Sequence, residues 1–129
     1  MDKKNEIIVK DTVIRTLSKD GLDYICITDI ARQKNWMDPN GVIANRMRNR
    51  NTIEFLGIWE TLYNPTFNPL EFEGFRQQAG LNAFTLSPSR WIDATNAIGI
   101  ISQSGRYGGT YAHTDAIKQN LVPAEVSEK

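Results

Sequence analysis

The sequence predicts an α+β domain: an N-terminal antiparallel β-pair, a helix-turn-helix, further helices and a C-terminal glycine-rich β-hairpin. Three observations predict it. A β-branched run is followed by a turn signal and a second β run. Two cap-then-proline pairs, Asp38-Pro39 and Ser87-Pro88, mark helix starts, and residues 100–113 carry two β-prone arms around glycines. With 129 residues, 40% of them apolar and 23% charged, the chain is long enough to bury one core, so a single compact domain is expected.

"EIIVKDTVIRTL" (6–17) reads as one β run with Val13 and Leu17 on one face and Ile14 on the other. "KDG" (19–21) then turns it into a second run, "DYICI" (23–27). Thr28 is the expected N-cap of the first helix, and Asp29 suits its first turn. That helix ends before "MDPNG", where Asp38 and Pro39 open the second; the short turn between them fits a helix-turn-helix unit. At about 100° per residue, Ile43 and Met47 share the inward face, Arg46 and Arg50 stack beside it, and Arg48 points away. Asn51 with Glu54 reads as a capping box, so a third helix starts near Thr52 and the chain bends at about Arg50.

The spacing predicts a helix over 52–63 with Phe55, Ile58, Trp59 and Leu62 facing the core. "NPTFNP" (64–69) is a loop, and a helix over 70–80 is closed by Gly80 as its left-handed cap. Residues 81–86 are read as a short extended piece. Ser87-Pro88 opens a last helix that stops at Gly99 and buries Trp91, Thr95 and Ile98. Arg90, three positions before Asp93, predicts an intrahelical ion pair. "IISQSGRYGGTYAH" (100–113) follows as a hairpin with Arg106 and Tyr107 exposed at its tip.

The formal charge is zero, but residues 1–50 carry about +3 and residues 51–129 about −3. Within 28–53, Arg32, Lys34, Arg46, Arg48 and Arg50 face only Asp29 and Asp38. A helix start flanked by arginines favours phosphate. The opposite reading is a solvated helix end whose arginines pair with Glu54 or Glu60, each exposed pair contributing less than about 1 kcal/mol.

Other classes find less support. His113 and Cys26 are the sole histidine and cysteine, too few for a nucleophile-base pair, a disulfide or a cysteine-rich zinc site, so no enzyme activity, metal or cofactor is expected. Cys26, within the apolar "YICI", is expected to be buried. A carboxylate-only nuclease site is left open by spacing. "GRYGGTY" lacks the lysine and Ser/Thr of a phosphate-binding loop. No apolar run is long enough for a signal segment or membrane span, and a cytoplasmic protein is expected.

"YICITDIA" (24–31), "NRMRNRNTIEFLGIWE" (45–60), "AGLNAFTLSPSRWIDATNAIGI" (79–100) and "GRYGGTYAH" (105–113) together closely resemble the KilA-N domain of bacteria, phages and large DNA viruses. The resemblance covers residues 5–115 and extends to the fungal APSES DNA-binding domain. It implies a winged-helix-like fold, with "TDIA" starting the first helix, "NRMRNRNT" (45–52) at the basic end of the second and "RYGGTY" (106–111) as the wing. It also implies sequence-specific binding of double-stranded DNA and a role in transcription regulation, in a phage or mobile-element setting. Many family members have tryptophan where this chain has Arg46. Beyond Asp115 the polar segment 116–129 departs from the long helix of other members and is expected to be disordered.

On that basis Lys34, Arg48, Arg50 and Arg106 are the phosphate candidates. Asn45, Arg46 and Asn49 are the candidates for base edges if the second helix enters the major groove, with Asn51 in the same basic stretch. Gln103 and Tyr107 are wing candidates for the adjacent groove. The rival function is a protein-interaction module, a truncated copy pairing with full-length relatives; a homodimer is among the assemblies left open.

Overall fold

The computed structural model describes residues 3–9, 11–105 and 108–115; the expectation of a disordered segment at 116–129 lies outside the described residues. In chain order they form β1 (Lys3–Val9), β2 (Thr12–Lys19), β3 (Leu22–Cys26), α1 (Ile27–Lys34), α2 (Pro39–Met47), α3 (Arg50–Tyr63), α4 (Pro69–Gln78), α5 (Pro88–Thr95), β4 (Ile100–Gln103) and β5 (Gly109–His113). The class is α+β. The strands make one antiparallel sheet in the order β1-β2-β3-β5-β4, with α1 to α5 inserted between β3 and β4.

The run 6–17 is a hairpin rather than one strand. Val9 pairs with Thr12, and Asp11 takes a left-handed φ of 64°, which an aspartate tolerates without a neighbouring glycine. The "KDG" turn forms as expected: Asp20 and Gly21 have φ 52° and 82° between the paired Lys19 and Leu22, as a type I′ turn requires.

Strand alternation divides the core. Ile14 joins the helix-side core with Ile100 and Ala112, while Leu17 packs with Tyr24, Cys26 and Tyr111 in a second cluster; Val13 is exposed. The sheet curls around that second cluster. In a flat sheet β1 and β4 would stand roughly 19 Å apart, yet Lys4 Nζ donates to Gln103 Oε1 at 3.3 Å. Cys26 is fully buried, as expected.

Thr28 does not cap α1. Cys26 occupies the cap position without a side-chain bond, and buried Thr28 instead accepts the Thr110 N–H through Oγ1 at 2.8 Å, tying α1 to β5. Asp38 does cap α2, accepting from Gly41 N–H at 3.0 Å with Pro39 in the first turn, and Ile43 and Met47 are buried as expected. The break between α2 and α3 comes earlier than the capping-box reading: Asn49, not Asn51, is the cap, with Oδ1 accepting from the Asn51 N–H at 2.9 Å. Arg46 and Arg50 therefore stand on different helices, and the expected stacking does not form.

The buried stripe of α3 is Ile53, Leu56, Gly57 and Glu60, flanked by Thr52 and Trp59. Trp59 is buried and Phe55 packs partly against the core, but Ile58 and Leu62 are exposed, so two of the four expected positions fall off the core face. Glu60 supplies the missing period: its carboxylate accepts from Ile98 N–H (3.0 and 3.1 Å), Gly99 N–H (2.6 Å) and Asn64 Nδ2 (2.9 Å).

The helix over 70–80 ends earlier than expected, at Gln78 with extended Ala79 as its cap; Gly80 (φ 88°) is not the cap but sits in the turn after it, closed by the Leu81 N–H on Gln78 O at 3.1 Å. Residues 81–86 form no strand; they are held by buried Phe84 and Leu86. Ser87 caps α5 through the Arg90 N–H, and Trp91 and Thr95 are buried. The helix stops at Asn96 (φ 61°) instead of Gly99, leaving Ile98 outside it and exposed. Arg90 does not pair with Asp93: Nη1 donates to Thr85 O at 2.9 Å and the guanidinium lies over Phe75 at 5.1 Å.

Candidate nucleic-acid interface

The end of α1, the following turn and the outer side of α2 enclose an open polar groove of about 570 Å³. Lys34, Asn45, Arg46 and Asn49 line it, together with Asn35 and Asp38. Among the described residues, neither Lys34 nor Arg46 has an ion pair or side-chain hydrogen bond, whereas the Asp38 carboxylate is engaged at the α2 cap. The groove thus presents two cations without an ion-pair partner, three carboxamides and the Asp38 carboxylate, an excess of one positive charge. Such a surface attracts a polyanion and can hydrogen-bond either phosphate oxygens or base edges.

The other two arginines of the cluster are engaged within the protein. Arg48 Nη2 donates to Leu81 O (3.2 Å) and Asn82 O (2.8 Å), while Arg48 O accepts the Gly80 N–H (3.2 Å). It is a strut between the α2–α3 junction and the segment after α4. Arg48→Ala is expected to cost about 1–2 kcal/mol in urea unfolding. Arg50 Nε lies 3.3 Å from Glu54 Oε2, and the same carboxylate meets Arg76 Nη1 at 3.2 Å. This exposed pair contributes less than about 1 kcal/mol, so Arg50 is restrained without being locked. Asn51 is exposed in the first turn of α3, and its backbone N–H is taken by Asn49.

A second polar groove, about 340 Å³, lies between the α1–α2 unit and the β4–β5 hairpin. Gln103 lines it, joined by Thr28, Arg32, Asn40 and Ser104. Arg106 and Tyr107 lie outside the described residues. Arg32 and Asn40 were not singled out by sequence. Arg32 was one basic residue of a local excess, and Asn40 reads as a turn residue after Pro39; only the return of β4 and β5 to α1 gives them a common groove.

An ion-pair node borders the second groove. Asp29, in the first turn of α1, accepts from Arg15 N–H (2.9 Å), Nε (2.9 Å) and Nη2 (3.0 Å), and from Arg32 Nη1 (2.6 Å). Arg15 Nη2 also donates to Gly108 O (3.2 Å), linking β2, α1 and the hairpin. Burial pushes the Asp29 carboxyl upward, but the Arg15 hydrogen bonds and the charges of Arg15 and Arg32 outweigh it and hold the pKa below the usual carboxylate range. Burial likewise raises the Cys26 thiol, so it is not an activated nucleophile.

Among the described residues, no group of three His, Cys, Asp or Glu side chains is arranged to hold a metal ion, and no helix is long and apolar enough to cross a membrane. A family model described as the KilA-N domain matches residues 7–121. No curated protein and no solved structure matches the chain.

Proposed function

The chain belongs to the KilA-N domain family, in general a DNA-binding family, and from that premise we propose that it binds duplex DNA with α1 and α2 as a helix-turn-helix and the β4–β5 hairpin as a wing. The observation that carries this reading is the convergence of Lys34 and Arg46 with Asn45 and Asn49 on one groove, with neither cation in an ion pair among the described residues. Lys34 anchors a phosphate, while Arg46, Asn45 and Asn49 address base edges in the major groove. Arg32, Asn40 and Gln103 meet the flanking backbone, and Arg50 adds a cation at the start of α3. The output is control of transcription by occupancy of the site.

Selection from a randomised duplex pool tests the assignment. Arg46→Ala is expected to relax preference at one or two base positions, at about 1–3 kcal/mol of discrimination each. Lys34→Ala weakens all sequences alike. An unchanged preference for Arg46→Ala removes Arg46 from base reading.

Exposed Ile58, Leu62 and Tyr63 on α3 support a second reading, a face for another copy of the chain. Sedimentation with and without duplex separates the two: assembly in the absence of DNA favours the second.

A further inference from the structure

The turn between α1 and α2 exposes its two largest apolar side chains. Trp36 and Met37, adjacent in sequence, are 75% and 76% exposed, whereas Trp59 and Trp91 are 7% and 0% exposed. A single exposed apolar residue needs no explanation, but an indole and a thioether side by side forgo a large burial gain. Nor is this turn a loose end. Asn35 Oδ1 accepts from the Met37 N–H (3.1 Å) and the Asp38 N–H (3.3 Å), Asn35 O accepts the Asp38 N–H (3.2 Å), and Asp38 caps α2. The backbone that carries the pair is thus fixed from both sides, and little ordering entropy is lost when the side chains make contact.

Lys34, Asn35 and Asp38, the neighbours of Trp36 and Met37 in the chain, line the polar groove, so the turn that carries the pair borders it. With Gln33, Lys34 and Asn35 before it and Asp38 after it, the pair is too small an apolar island for a protein-binding core, which takes several hundred Å². It has the size and setting of a wedge: a flat ring and a polarisable, adaptable side chain next to a cation that holds phosphate. We infer that Trp36 and Met37 form an apolar wedge that partly inserts at a base step of the duplex lying along the Lys34–Arg46 groove. The inference rests on the DNA-binding reading and adds to it a deformation of the DNA, with preference for easily unstacked steps.

Because Trp36 is the one exposed tryptophan among the described residues, its emission reports the contact directly. A random-sequence duplex pool is titrated into the full chain and into Trp36→Phe and Trp36→Ala, following tryptophan emission, access to acrylamide, and affinity by mobility shift. Quenched emission and reduced acrylamide access on binding are expected for the wild type, and both changes disappear in Trp36→Phe. Trp36→Ala is expected to bind about tenfold more weakly, and Trp36→Phe, which keeps a ring, to lose less. Wild-type binding with emission and acrylamide access unchanged, or Trp36→Ala binding as tightly as the wild type, overturns the wedge and leaves the DNA-binding reading standing. Failure of the wild type to bind any duplex overturns both.

Discussion

Glu60→Ala is expected to lower folding stability by about 3–5 kcal/mol, since each buried donor left without its acceptor costs roughly 1–3 kcal/mol. Three donors depend on this carboxylate: the N–H groups of Ile98 and Gly99 and the Asn64 carboxamide. The side chain is 1% exposed, and a Cβ on Gly99 would lie 2.9 Å from Glu60 Oε2 and 3.0 Å from the Trp59 ring, so the surroundings are close-packed around it. Glu60→Gln is expected to recover only part of the loss. Every partner of the carboxylate donates, and a glutamine turns one accepting oxygen into a competing donor. Asn64 cannot reverse its amide to compensate, because its Oδ1 already accepts from the Thr66 N–H and hydroxyl. Urea unfolding read by circular dichroism orders the three proteins as wild type, Gln, Ala. A Gln variant as stable as wild type would show that the acceptor count is not what matters. Since Glu60 fixes Ile98 and Gly99, immediately before β4, a loss of duplex affinity should accompany the loss of stability.

Asp29→Asn is expected to cost about 2–3 kcal/mol at neutral pH, less than the 3–5 kcal/mol of a fully buried broken pair, because the Arg15 side chain is 26% exposed. The pH dependence identifies the cause. Asp29 titrates below its unfolded value, so its contribution is complete above the unfolded carboxyl pKa of about 3.9 and is lost as pH falls through the lower folded value. The stability gap between wild type and Asp29→Asn is therefore expected to be flat from neutral pH down to about pH 5 and to shrink in more acid solution. A gap that stays constant to the acid end would trace the loss to packing instead of charge. The same variant removes the carboxylate that orients Arg15 toward Gly108 O and Arg32 toward the second groove, so weaker duplex binding at neutral pH is also expected.

Much of the fold was legible where one residue dictates one conformation. Asp38-Pro39 and Ser87-Pro88 cap their helices as read, and Asp20-Gly21 turns between β2 and β3. Reading failed where a polar side chain did an unexpected job. Asp11 takes a left-handed conformation with no glycine to announce it, so a hairpin looked like one strand. Glu60 occupies a core position, so the buried face of α3 turns away from Ile58 and Leu62, two of the four residues expected on it. Thr28 satisfies β5 instead of its own helix.

The basic cluster was equally mixed. Lys34, Asn45, Arg46 and Asn49 lie close in helical space and do share a groove. Arg48 is diverted by carbonyls more than thirty positions away in the chain, a partnership local spacing cannot express. Arg50 meets Glu54, a pair the sequence did suggest. Arg32 and Asn40 gain their place only from the hairpin folding back beside them.

The salt dependence of duplex affinity, measured for the wild type and for Lys34→Ala/Arg46→Ala, tests the central claim most directly. If the groove between α1 and α2 is the seat of the polyanion, wild-type affinity falls linearly in a log–log plot against salt. The double variant then binds more weakly with a slope shallower by about 0.9, for the one phosphate that Lys34 no longer neutralises. Equal slopes and equal affinities for the two proteins would contradict it, and would place whatever DNA binding remains away from Lys34 and Arg46.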